Sequence, residues 1–329
     1  MGAVVLRFHI IGGGAVGLSY AGRLALAGSP VMVWTRTAGQ AGMLAAEGIV
    51  VVGSSGTVAA APVQAAAAAE YPSWREADKR GGAECLLLTV KQTHISDPVL
   101  LRLIQELAAE RLPVLCLQNG VGHIEHLQSE LPGITFIPAV TTEGALRQDG
   151  RTVQLTGQGE LHMGESRDAQ WQKMLLNTLN EAGIAAFMSK DINNRIYRKL
   201  LVNAVINPLT ALLGVRNGEL QQQPGVPELM KKLHEETMAV LLAAGLPETG
   251  HEWEELLTVC EKTANNRSSM LADIRNGRQT EIAAINGGVV KLAEKLGMAA
   301  PLNLALVDLV AAVAEQSGKG RNAGGDDTG

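Results

Sequence analysis

Lys199, Asn203 and Asn207 stand four residues apart in the apolar run Lys199-Leu-Leu-Val-Asn-Ala-Val-Ile-Asn-Pro-Leu-Thr-Ala-Leu-Leu213. In a helix each four-residue step overshoots one turn by about 40°, so the trio covers only about 80° of the surface. Leu200, Leu201, Val205 and Ile206 then point elsewhere. A cation and two amides in line on a greasy helix require polar company. Either a neighbouring helix hydrogen-bonds across a packing interface, or the stripe offers one positive charge and two amides to a small polar ligand.

A second chemistry-bearing segment lies at the N-terminus. Val4 to Ile11 reads as a buried strand that runs directly into Gly12-Gly13-Gly14-Ala15-Val16-Gly17, a helix-like stretch from Leu18 to Gly28 and a second strand from Val31 to Trp34. This order is a nucleotide-binding βαβ opening. Gly12 permits the tight turn, Gly14 lets the backbone approach a diphosphate and Gly17 allows close helix packing. The helix start, with Ala15 and Val16, presents unpaired N–H groups to phosphate oxygens. At the tip of the second strand an NAD site carries an acidic residue for the ribose hydroxyls, whereas this chain has Thr35-Arg36-Thr37. A guanidinium and two hydroxyls suit a 2′-phosphate, so the expected cofactor is NADPH/NADP+.

The elements that must position these groups fit a chain of 329 residues, long enough for two domains. A net charge of −5 gives no footprint for nucleic acid or an anionic membrane, and 3% aromatic residues leave few stacking platforms. No apolar segment reaches the length of a membrane span, and the N-terminus lacks the basic leader of a secretion signal. Cys85, Cys116 and Cys260 are too scattered for a disulfide framework or a zinc site, which suits a cytoplasmic protein. Cys85 and Cys116 sit in strand-like runs and read as small buried hydrophobes. His123 and His126 share a helix face without a third ligand cluster, so no metal is expected.

Short β-like pieces follow near Gly48–Val52 and Thr57–Ala60. The alanine-rich Ala59–Ala69, which admits a short surface helix, and a polar loop through Arg80 read as peripheral. Cys85–Val90 and Val114–Leu117 read as central parallel strands joined by a helix over Ile95–Glu110. Both strands end in polar residues, Lys91-Gln-Thr and Gln118-Asn119-Gly120, and ligands bind at such carboxyl ends. A strand over Ile134–Val140, a glycine-punctuated β region to Gly164, a helix over Asp168–Ala182 and a strand at Ile184–Met188 complete this half. From Asp191 to Gln316 nearly everything reads as helix, with breaks at Pro208, Pro224–Pro227, Gly245–Pro247 and Gly297–Pro301. The predicted organisation is an α/β domain over 1–189, built on a doubly wound Rossmann-type sheet, then an all-α domain over 190–316. A disordered small-residue tail is expected over 317–329.

Together these residues resemble the ketopantoate reductase (2-dehydropantoate 2-reductase) family across nearly the whole chain. The resemblance is carried by Gly12-x-Gly14-Ala15-x-Gly17, Val90-Lys91, Gln118-Asn119-Gly120-x-Gly122 and Lys199-x-x-x-Asn203-x-x-x-Asn207-Pro208-Leu-Thr-Ala. It continues in Asn266-Arg-Ser-Ser-Met270, Asp273 and Gly277-Arg-Gln-Thr-Glu281. It implies an NADPH-binding Rossmann domain, a helical domain, a substrate cleft between them and a place in pantothenate and coenzyme A synthesis. It also implies that Lys199 is the general acid and that Glu281 orients it and the substrate. By the same resemblance Asn203, Asn207 and Ser269 hold a small 2-oxo acid, while Lys91 and Asn119 lie near the cofactor's nicotinamide end, Asn119 also meeting the substrate. A homodimer is admitted as the assembly. The alanine-rich segment and the glycine-rich tail depart from the family pattern.

The residue chemistry points the same way. Reducing a ketone by hydride needs a proton donor as alkoxide charge develops, and a desolvated Lys can both supply the proton and stabilise the charge. Glu281 would tolerate burial only when paired, which suits a place beside Lys199. Two rivals stay open on the sequence: a reductase of another branched 2-oxo acid, and a non-catalytic NADP-binding sensor.

The strand-tip reading makes a prediction. Arg36→Ala should weaken NADPH binding about ten- to a hundredfold, the worth of one charge-assisted pair, and leave NADH binding nearly unchanged. Titration of both cofactors into the variant checks this, and equal losses would remove Arg36 from the discriminating role.

Overall fold

The computed structural model describes residues 6–53, 55–73, 84–108 and 112–322; the expectations for Val4 and Val5 and for the polar stretch through Arg80 fall outside them. The chain divides into two compact units, Met1–Gln118 with His123–Ile192, and Asn119–Gly122 with Asn193–Gly329.

The first unit is built on an eight-stranded sheet. Its strands are β1 (Arg7–Ile11), β2 (Val31–Thr35), β5 (Gln64–Ala67), β6 (Glu84–Leu88), β7 (Val114–Cys116), β8 (Phe136–Thr141), β11 (Leu161–Met163) and β12 (Ala186–Met188). Their spatial order is β12-β11-β8-β7-β6-β1-β2-β5. All neighbours run parallel except β8 and β11. From β5 to β8 this is the doubly wound order 3-2-1-4-5-6, whose switch point lies beside β1, where the glycine loop emerges. Side chains alternate between two cores, as expected for a sheet covered on both faces: Phe8, Ile10, Cys85 and Leu87 pack on one face, Ile11, Leu86 and Leu88 on the other. Burial pushes the Cys85 and Cys116 thiols well above the usual thiol range, consistent with their place as core residues.

Helix α1 (Ala15–Leu26) follows the glycine loop and α2 (Ala38–Glu47) follows β2. The crossover helix α3 spans Pro98–Leu107, shorter than expected, because Asp97 caps it by accepting from Val99 N at 2.8 Å and Pro98 takes its first position. Leu100, Leu103, Ile104 and Leu107 form its buried stripe. Helix α4 (His123–Glu130) follows β7, and α5 (Ala169–Glu181) starts at a second aspartate cap, Asp168. The alanine run departs from a helical or peripheral reading. It forms the end of β4 (Val58–Ala61), all but the first residue of β5 and a single 3-10 turn, and β5 pairs in parallel with β2 from Met32–Gln64 to Thr35–Ala67. Sheet pairing overrides alanine's helix propensity here.

A second sheet, ordered β4-β3-β10-β9, combines β4 with β3 (Ile49–Val52), β9 (Gly144–Arg147) and β10 (Thr152–Gly157). A part-buried ion pair ties this region to α1: Arg23 donates to Glu143 at 2.6 Å and also to the Gly183 carbonyl.

The second unit is helical: α6 (Ile192–Leu213), α7 (Val226–Ala243), α8 (Glu252–Lys262), α9 (Ser269–Arg275), α10 (Asn286–Lys295) and α11 (Pro301–Asn322). Helix α6 is its centre. Leu200, Leu201, Ala204 and Ala211 pack into one apolar cluster, and Val205, Ile206 and Leu209 into another. The expected break at Pro208 does not occur, since α6 runs through it. Proline removes the N–H that would bond to Ala204 O, and Asn286 replaces it by donating Nδ2 to that carbonyl at 2.9 Å. The other Nδ2 hydrogen of Asn286 goes to Asn303 Oδ1 at 2.9 Å, and Asn303 donates in turn to Glu236 Oε1 and Thr237 Oγ1. Both asparagines are fully buried. Helix α11 continues to Asn322, past the end expected at 316, with Ser317 Oγ bonded back to Val313 O; residues 323–329 lie outside the described ones. Among the described residues no helix is long and apolar enough to cross a membrane.

Candidate active site

In the second unit, α6 brings Lys199 against a loop segment far away in sequence. Lys199 Nζ donates to Asn119 Oδ1 at 2.8 Å, and Asn119 Nδ2 donates to Glu281 Oε2 at 3.1 Å. The amide thus stands between ammonium and carboxylate with each end facing the charge it can satisfy. Glu281 is buried, 6% exposed. Burial pulls the Lys199 pKa down to about 8, a fall that the negative charge of Glu281 partly offsets. A lysine in this range holds its proton at neutral pH yet releases it far more readily than an ordinary lysine.

Backbone contacts hold the same segments together. Val121 N donates to Ala284 O at 3.2 Å, and Ala284 N and Ile285 N both donate to Glu281 O at 3.0 Å. Gly120 has φ +81°, and a Cβ there would overlap the Ala284 carbonyl. Upstream of Glu281, Asp273 and Arg278 are joined by a side-chain contact at 3.3 Å and a backbone bond from Arg278 N to Asp273 O at 2.9 Å. The motif residues around Glu281 therefore fold its loop as well as supplying its carboxylate.

Asn203 and Asn207 continue the stripe on α6; the first is half-buried and the second 7% exposed. Among the described residues neither amide side chain is engaged in a hydrogen bond. The two serines of Asn266-Arg-Ser-Ser-Met270 divide their work. Ser268 is buried, caps α9 by accepting from Leu271 N at 3.1 Å, and accepts a second bond from Thr210 Oγ1 at 2.7 Å. Ser269 is exposed in the first turn of α9.

In the first unit the glycine loop has the form a dinucleotide requires. Gly12 has φ +122°, and a Cβ on Gly17 would overlap the Gly12 carbonyl, so neither position accepts another residue without distortion. A Cβ on Gly14 would meet nothing within 4 Å, so the side of the loop next to the start of α1, with Ala15 and Val16, is open to a ligand. These residues fit a diphosphate. Sequence reasoning missed the groups that hold the loop: Thr89 Oγ1 donates to Ile11 O and Gly12 O at 3.1 and 3.0 Å, and Gln40 Nε2 donates to Gly13 O at 2.8 Å. Thr89 at a strand end was the one local signal for them.

Arg36 is exposed at the tip of β2, with a guanidinium nitrogen 3.5 Å from His94 Nε2, and Thr37 caps α2. Lys91 is half-buried at the cap of the 3-10 turn Gln92–His94, in the loop that follows β6. The structure thus brings Lys199, Asn119 and Glu281 into one chain of contacts in the second unit, while Gly12–Gly17, Arg36 and Lys91 belong to the first. His123 and His126 bond separately, to Gln92 and Ser96, and burial lowers the His123 pKa to about 4.

The family model for ketopantoate reductase PanE/ApbA matches residues 8–168, and its C-terminal counterpart matches 191–314. A 2-dehydropantoate 2-reductase of Bacillus subtilis (strain 168) is 33% identical over 296 residues, 89% of this chain and 92% of the relative. The crystal structure of a PanE/ApbA family ketopantoate reductase from Ralstonia eutropha JMP134 superposes with a TM-score of 0.84 at 26% identity, covering 95% of this chain and 99% of that one. D-mandelate dehydrogenase, in a ternary structure with NADH and anilino(oxo)acetate, shares the fold with a TM-score of 0.82 at 24% identity, over 95% and 99% of the two chains.

The site geometry predicts that Lys199→Ala retains NADPH binding and loses on the order of 10²–10⁴-fold in turnover. In the unsubstituted protein the reductive rate should fall as pH rises through about 8, because the donor is then deprotonated. Near-normal turnover of the variant with an unchanged pH profile would remove Lys199 from proton donation.

Proposed function

The chain belongs to the ketopantoate reductase family, and on that premise we propose that it reduces 2-dehydropantoate to (R)-pantoate with NADPH, in the route to pantothenate and coenzyme A. It is an NAD(P)-dependent oxidoreductase acting on a small keto acid. The observation that carries the reading is the Lys199–Asn119–Glu281 chain, a lysine of lowered pKa held in place by an amide and a carboxylate.

When bound, the nicotinamide supplies a hydride to the ketone carbon. The chain's own residues meet the consequence, a negative charge growing on the carbonyl oxygen. Lys199 gives its Nζ proton to that oxygen, completing the hydroxyl, and its positive charge stabilises the oxygen beforehand. Asn119 fixes the direction of the ammonium, and Glu281 keeps it protonated below about pH 8 despite burial. Asn203, Asn207 and the exposed hydroxyl of Ser269 bind the carboxylate and hydroxyl of the substrate with neutral donors. Neutral donors orient the acid without the strong attraction that would trap the product. The preference for NADPH rests on Arg36 and the missing carboxylate at the tip of β2.

A site built to hydrogen-bond a hydroxyl leaves its polar groups unpaired around an analogue without one, which can discriminate by about 10⁴-fold, whereas a missing methyl group is worth only about 10–200-fold. The kcat/KM ratio of 2-dehydropantoate to 2-oxoisovalerate should therefore be large, and Ser269→Ala should narrow it mainly by impairing the true substrate. A ratio near one in the unsubstituted protein would favour a generic 2-oxo-acid reductase.

A further inference from the structure

Three consecutive carbonyls at the entrance of the glycine loop are each committed to a side-chain donor. Thr89 Oγ1 takes Ile11 O and Gly12 O, at 3.1 and 3.0 Å. Gly13 O accepts two bonds, from Gln40 Nε2 at 2.8 Å and from a guanidinium nitrogen of Arg147 at 3.1 Å. Arg147 comes from neither of the strands that flank the loop. It is the last residue of β9, in the second sheet, 134 positions away in sequence and opposite Val153 of β10.

The attachment is specific on both sides. Gln40 also donates to Gly150 O at 2.8 Å, so one amide joins the loop to the β9–β10 turn. A Cβ on Gly13 would come within 2.7 Å of the Gln40 amide nitrogen, so a side chain there would push this amide aside. β9 is anchored independently at its other end by the Arg23–Glu143 ion pair.

A peptide unit is planar and trans, so its C=O and N–H point in opposite directions. Donors gripping Gly13 O therefore turn the N–H of Gly14 the other way and polarise it, and the charge on Arg147 strengthens both effects. We propose that Arg147 is a cofactor-positioning residue, which together with Gln40 sets the Gly13–Gly14 peptide so that its N–H side serves the diphosphate of the dinucleotide. The inference rests on the proposed NAD(P) reading, and it assigns a role to the second sheet, which the βαβ opening alone does not need. It also separates two tasks: Arg36 reads the 2′-phosphate, while Arg147 serves the diphosphate that NADPH and NADH share.

Calorimetric titration of NADPH, NADH, ADP-ribose and adenosine 2′-monophosphate into the wild type, Arg147→Met and Arg147→Lys tests this. Arg147 is exposed, so the variants should fold, and their melting temperatures without ligand check it. Arg147→Met should weaken the three diphosphate ligands alike, by roughly tenfold, the scale of one charge-assisted hydrogen bond. Adenosine 2′-monophosphate, which has no diphosphate, should bind as before, and Arg147→Lys should recover part of the loss. Unchanged affinity for ADP-ribose, or an equal loss for adenosine 2′-monophosphate, overturns the assignment. A wild type that bound neither NADPH nor NADH would instead overturn the reductase reading itself.

Discussion

The burial of the Lys199 ammonium is the constraint around which the second unit is organised. A charge taken out of water is tolerated only with polar partners, and here a neutral amide meets it directly while a carboxylate stands one hydrogen bond further on. The arrangement leaves the lysine poised near neutrality instead of locked as a permanent cation. The backbone around it is fixed at the same time: Gly120 is in a left-handed conformation against Ala284, and the Glu281 carbonyl accepts from the amides of Ala284 and Ile285.

Helix α6 must keep its register for that contact to exist, and it does so across a proline. Asn286 meets the carbonyl that Pro208 leaves without a donor, and Asn303, Glu236 and Thr237 complete a buried network around it. Every N–H donor of the two asparagine amides is used, two on Asn286 and two on Asn303. Lys199, Asn203 and Asn207 consequently remain on one face of one helix. The first unit solves a parallel problem with its glycine loop, whose carbonyls are tied down by Thr89 just past β6 and by side chains from α2 and β9, and whose Gly14 side stays open.

Much of this was legible in the sequence because it is local. The four-residue spacing on α6, the glycine fingerprint between a strand and a helix, and the basic strand tip at Arg36 all depend on neighbours within a turn or two. What was not legible depends on distant partners. Pro208 reads as a break because Asn286, 82 positions from Ala204, has no signature in the local pattern. The alanine run reads as peripheral because its pairing with β2 is a tertiary fact. Asn119 reads as a residue at a strand end near the cofactor, yet the chain crosses from one unit to the other between Gln118 and Asn119, and its side chain meets a carboxylate 162 positions away. Of the two serines at the start of α9, helix capping explains why Ser268 is buried and spent while Ser269 stays exposed.

The titration of Lys199 itself is the most direct measurement. Nitrogen NMR of the lysine side chains, with the Lys199 signal identified by its loss in Lys199→Ala, reports the protonation of Nζ as pH is raised. The midpoint should lie at about 8, and Glu281→Gln should move it lower still, because the carboxylate is what favours the ammonium against its burial. A midpoint near the ordinary lysine value, or one unmoved by Glu281→Gln, would contradict the buried donor on which the proposed chemistry depends.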